Sequence, residues 1–174
     1  MLIAVLVLAA CGGDDGSASS EDYANDVCSS LSTWVADVEQ TVRSLTDQGL
    51  SISRDDIQSA FDETKDATDS MVNDLEQLGT PETEDGQQAM DELDELATQL
   101  REQLDAIEQA IDSGGGVAAI AAQVSTAVSA AANAVKTTFE NLRGLDPGGE
   151  LRDAFENAEE CDSLSEQLEN IRSR

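Results

Sequence analysis

Residues 89–111 read AMDELDELATQLREQLDAIEQAI. Ala89, Leu93, Leu96, Leu100, Leu104, Ile107 and Ile111 recur at spacings of three and four. That is the period of one face of an α-helix. Asp91, Glu92, Asp94 and Glu95 fall between the apolar positions and form the solvated face. An amphipathic helix draws most of its stability from burying its apolar stripe. The fold is therefore decided by whether the rest of the chain supplies partners of the same kind.

It supplies four. Upstream, Val27, Leu31, Trp34, Val38, Val42 and Leu45 form one stripe. Ile57, Phe61, Thr64, Met71, Leu75 and Leu78 form a second, opened by Ser53 and Asp56 at capping-box spacing and stopped by Gly79. Thr80-Pro81, a capping residue followed by proline, predicts the start of the helix that carries the 89–111 stripe. Gly114-Gly115-Gly116 ends it. Downstream come Val117, Val124, Val128, Val135, Phe139 and Leu142, then a turn at Gly144, Asp146, Pro147, Gly148 and Gly149. Leu151, Phe155, Ala158, Cys161, Leu164, Leu168 and Ile171 make the last stripe. No segment alternates with the period of a strand. Short connections place successive helices antiparallel, so the sequence predicts an all-α, up-and-down antiparallel bundle of four to five helices.

The fourth helix stands apart. Val117 to Val135 carries no charge and is rich in alanine. A helix apolar nearly all round is expected among neighbours; the alternative is a seam with a second copy. Five polar residues and the low hydrophobicity of alanine argue against a membrane span.

Thirty-seven acidic residues face nine basic ones, a formal charge of -28. Phosphate backbones are repelled by such a surface, which excludes nucleic acid as a partner, and basic proteins or cations are the partners it attracts. Hydrophobic residues make up 40% of the chain and aromatic residues only 3%, so aliphatic side chains must fill the core.

The N-terminal stretch MLIAVLVLAAC is uncharged and too short to span a bilayer. It ends in small residues, as the apolar region of a secretory signal does. Leu8-Ala9-Ala10-Cys11 resembles the lipobox of bacterial lipoproteins. The resemblance covers residues 1–11, and the Lys or Arg with which such signals begin does not precede Cys11. It implies lipidation of Cys11 after cleavage before it, and attachment to the cell membrane on its extracytoplasmic side. The chain then divides into a signal segment (1–10), a flexible polar tether (11–21) and a helical domain (22–174). Two or more acyl chains anchor stably where one is marginal.

Setting Cys11 aside leaves Cys28 and Cys161. An even remainder in an exported protein predicts a disulfide between them, joining the first helix to the last. That bridge is expected beside a cluster of Trp34, Phe139 and Phe155, with Phe61 toward the opposite end. Zinc asks for about four ligands and the chain has no histidine, so no metal site and no cofactor are expected. Histidine-based triads and HExxH sites are excluded for the same reason, and the glycines at 114–116 lack the lysine of a phosphate-binding loop. Asp14-Asp15-Gly16 is only a fragment of a calcium loop.

The sequence thus predicts a non-enzymatic, lipid-anchored envelope protein that binds or scaffolds. The alternative is a small-molecule-binding or sensory helical module, its ligand held between helices near the alanine-rich fourth. A carboxylate-based enzyme ranks last. An apolar cavity would favour the ligand-binding module, a convergent buried carboxylate pair the enzyme, and a solid core the scaffold.

Overall fold

The computed structural model describes residues 19–145 and 149–172. Six α-helices account for nearly all of them: α1 (Ser20–Gln48), α2 (Arg54–Leu78), α3 (Gly86–Asp112), α4 (Val117–Arg143), α5 (Glu150–Asn157) and α6 (Glu159–Arg172). Among the described residues there is no strand. The chain is the all-α bundle its periodicity predicts. Helices α1 to α4 run up and down, and α5 and α6 form a broken fifth rod.

Cross-helix contacts fix the directions. Trp34 Nε1 donates to Thr68 Oγ1 at 2.9 Å and Thr41 Oγ1 donates to Glu63 at 3.3 Å, so α1 and α2 are antiparallel. Asn25, Cys28 and Ser32 of α1 meet Glu160, Cys161 and Gln167 of α6 in the same order, so these two helices are parallel. The Cys28–Cys161 disulfide is formed, with Cα atoms 5.0 Å apart. Cys11 and the lipobox, Asp14-Asp15-Gly16, and Asp146, Pro147 and Gly148 of the last turn lie outside the described residues, as does the side chain of Ile171.

Local chemistry sets most helix ends. Ser19 Oγ accepts the Asp22 backbone N–H at 3.1 Å and starts α1, so Ser20 and Glu21 belong to the helix rather than to the expected tether. Ser53 and Asp56 complete a capping box: the Asp56 N–H donates to Ser53 Oγ at 3.2 Å, and Asp56 accepts the Ser53 N–H at 2.8 Å. The Ser53 hydroxyl, which also donates to the Asp56 carboxylate at 2.5 Å, and after it the Ser53 N–H hold that carboxyl below its ordinary pKa. Gly79, at φ 68°, ends α2 in a conformation that side chains with a Cβ avoid.

Two further boundaries differ from the sequence expectation. Helix α3 starts at Gly86, not at Thr80-Pro81. The Thr83 N–H donates to the Pro81 carbonyl at 2.9 Å and the Gly86 N–H to the Thr83 carbonyl at 3.1 Å, so Pro81 opens a turn. Glu82 to Glu84 offer no apolar side chain, and the helix begins where Gly86 and Ala89 meet the core. The second difference is at Ala158, whose extended backbone (ψ 131°) divides the last rod. Its carbonyl accepts the N–H groups of Cys161 and Asp162 at 3.1 and 3.3 Å. Glu159, Glu160 and Asp162 occupy the first turn of α6, where acidic side chains suit the helix dipole. The break lets α5 sit between α1 and α4 while α6 follows α1.

The core has two parts. The larger surrounds the disulfide and the lower end of the bundle, where α1 begins, and includes Trp34, Phe139 and Phe155. Yet the ring packed edge-on against Phe155 is that of Tyr23, with centroids 6.3 Å apart, a contact the aromatic expectation omitted. Phe61 lies apart, with Ile57, Leu104, Ile107, Ile111 and Ile120 at the upper end. There Arg54 donates to the carbonyls of Ile111 and Gly115 at 3.0 and 2.9 Å and ties α2 to the end of α3.

Candidate binding cleft

The α1 stripe does not stay buried along its length. Val27, Leu31 and Trp34 are covered, whereas Val42 is 37% exposed and Leu45 half-buried. Opposite them stands α4, the most apolar helix. Of its most apolar 18-residue window, mean hydropathy 1.3, only 17% is buried. The expectation that neighbours enclose α4 is therefore overturned. α4 packs on α3 and touches α5, but α1 and α4 scarcely meet. Ile120, Ala127, Ala131 and Val135 face inward, while Val124 and Val128 are only partly covered.

What opens between them is an apolar cleft. Its upper part has a volume of about 310 Å³ and lies between Val42 and Leu45 of α1, Ile52 and Ile57 below the turn, and Val124 and Val128 of α4. The part below it, about 450 Å³, runs along α1 past Trp34, Val35, Val38 and Val42, with Val128 and Ala132 as the other wall. Val42 and Val128 line both and make them one trough.

Its chemistry is almost without polar demand. Thr46 Oγ1 donates to the Val42 carbonyl and Ser129 Oγ to the Ser125 carbonyl, each at 2.8 Å, so these hydroxyl protons are spent on their own helices. The two charges on the walls, Glu39 and Arg43, pair with each other one helical turn apart at the rim. From Ser113 to Val135 the chain carries no charge. The cleft can hold apolar surface, and among the described residues that line it there is no thiol, no lysine and no pair of carboxylates.

The carboxylates of 91–95 are not gathered into a site. Asp91 and Glu95 accept from Gln87 and Gln99 on their own helix, and Glu92 accepts from Asn141 at 2.7 Å. Asp85 is the one buried carboxyl group among the described residues. Its Oδ2 has no partner; neither does Thr83 Oγ1 in the same turn. Among the described residues no group of three His, Cys, Asp or Glu side chains is placed to hold a metal ion.

The sequence named Val42, Leu45, Val124 and Val128 as stripe residues but assigned them to the core. The available signal was the missing charge of 113–135 in a chain that is 26% charged. No family model matches the chain, and no curated protein or solved structure matches it.

Proposed function

We propose that this is a non-enzymatic binding protein of the cell envelope, anchored through lipid on Cys11, that captures apolar surface in the cleft between α1 and α4. The carrying observation is the apolar trough itself. An acidic bundle leaves the valines of two helices unpartnered along one line, and concave apolar surface is what binding sites are made of. The anchoring part rests on the resemblance of Leu8-Ala9-Ala10-Cys11 to a lipobox. A small apolar molecule is the second reading, favoured by the upper cavity of about 310 Å³.

Two measurements test this. N-phenyl-1-naphthylamine, an uncharged apolar dye, should fluoresce on binding the full chain, and Val128→Glu should abolish the signal while the helical circular dichroism persists. Dye uptake that is absent, or equal in the variant, sinks the cleft. Cys11→Ser should move the protein from the detergent phase to the aqueous phase, and unchanged partitioning sinks the anchor.

A further inference from the structure

We propose that the cleft is a slot for one helix of a basic partner protein, an inference that rests on the binding role given to the cleft above. The bundle itself supplies the template. At the lower end α5 packs against both α1 and α4. Its buried residues there, Leu151, Ala154 and Phe155, continue to Ala158 at the helical spacings of three, four and seven. The slot between the same two helices stays open above it, and among the described residues none of α5 or α6 lines the upper cleft.

Dimensions agree. The lining of α1 runs from Trp34 to Thr46, which at about 1.5 Å per residue is roughly 18 Å, the length of a helix of about 12 residues. The α4 wall offers Ala121, Ser125, Ser129 and Ala132, small side chains that let a helix axis come close. A ridge of alternating large and small apolar residues, as on α5, fits a trough with valines on both walls and small side chains between those of α4.

Charge decides the rest of the occupant. Inside the slot the Thr46 and Ser129 hydroxyl protons are spent and the Glu39–Arg43 ion pair is self-neutralised, so recognition there is mainly by shape. Outside it, a chain of net charge -28 attracts a helix whose outer face is basic and repels an acidic one, including a second copy of itself. Amphipathic helix recognition by an apolar groove in an acidic protein follows from these two facts together.

The test uses the full oxidised chain and a side-chain-stapled helix of about 12 residues, since shorter free helices are marginal in water. The probe carries leucine and alanine at the α5 spacing and lysine elsewhere; its counterpart carries glutamate for lysine. Fluorescence anisotropy should show the lysine helix binding and displacing N-phenyl-1-naphthylamine. Val128→Glu, and Val42→Glu at the exposed rim, should each weaken it at least about tenfold. Both variants add an acid, so simple charge attraction would be strengthened by them. Thr98→Glu, on the exposed face of α3, should leave binding undiminished. Equal binding in the groove variants overturns the proposal, as does equal binding of the glutamate helix. A sedimenting dimer that the lysine helix cannot open also overturns it, in favour of a second copy. If the dye binds and the lysine helix does not, the helix slot fails and the apolar cleft stands; if neither binds, the cleft fails too.

Discussion

Tyr23 shows how much one side chain can report. It is the chain's single tyrosine, 2% exposed, stacked edge-on against Phe155, with its hydroxyl donating to Met90 Sδ at 3.4 Å. Burial, with a contribution from the negative Asp94, pushes its pKa from 10.0 up to about 12. The unfolded chain therefore releases this proton at lower pH than the folded one. Tyr23's contribution to stability is fully present below about pH 10 and is lost as pH rises through about 12. Ultraviolet titration of the phenolate should give a midpoint well above that of free tyrosine, falling to the ordinary value in urea. Tyr23→Phe should flatten the part of the alkaline stability loss that lies between those pH values. A phenolate that titrates normally in the folded protein would show that Tyr23 is not enclosed by α3 and α5. Periodicity missed this residue because Tyr23 precedes the first unambiguous stripe position, Val27, in a stretch expected as the helix edge. Trp34, by contrast, was legible as core; only its bond to Thr68 required the neighbouring helix.

At the scale of elements, the α2–α3 turn separates local from tertiary control. Thr80-Pro81 has the chemistry of a helix start, yet α3 begins at Gly86 because no apolar side chain between them can offset ordering with burial. Gly86 is placed so that an added Cβ would lie 2.0 Å from the Pro81 carbonyl oxygen. Gly86→Ala should force the turn apart and cost about 1–3 kcal/mol. Gly116→Ala should change stability by less than about 0.5 kcal/mol, because its Cβ would meet nothing within 4 Å and its φ of -65° suits any residue. Urea midpoints of the two variants check the contrast, and equal midpoints would refute the tight turn. The break at Ala158 has no glycine or proline to announce it. Only the acidic run Glu159, Glu160 and Asp162 hinted at a new helix N-terminus, and it was masked by a chain acidic throughout.

For the whole molecule, the disulfide is the longest-range constraint. It joins residues 133 apart and holds α6 along α1. Closing so long a loop restricts the unfolded chain by about 5 kcal/mol in the entropy model, and removal of such a bridge costs about 2–5 kcal/mol. Cys28→Ser combined with Cys161→Ser should lower the urea midpoint accordingly, and reductant should no longer affect the variant. A variant as stable as the native chain would mean that helix packing alone sets the α1–α6 register. The same constraint fixes the course of α6 along α1.

What the sequence determined by itself was everything that depends on neighbours three or four residues away. The helical period, the capping box at Ser53, the stops at Gly79 and Gly114–Gly116, and the inward stripe of α3 all come from local geometry and local burial. Pairing of Cys28 with Cys161 followed from parity, a property of the chain as a whole that needs no coordinates. Tertiary structure alone decided which stripes find a partner. Val42 and Leu45 continue the pattern of Leu31 and Trp34 without a break, and Val124 and Val128 belong with Val135 and Phe139. Whether those valines are covered depends on where the last rod bends and which neighbour it follows. That is set by the wedge of α5, the extended backbone at Ala158 and the bridge to Cys28, which act between residues more than a hundred positions apart. A periodic pattern states which face is apolar; it does not state what will lie against it.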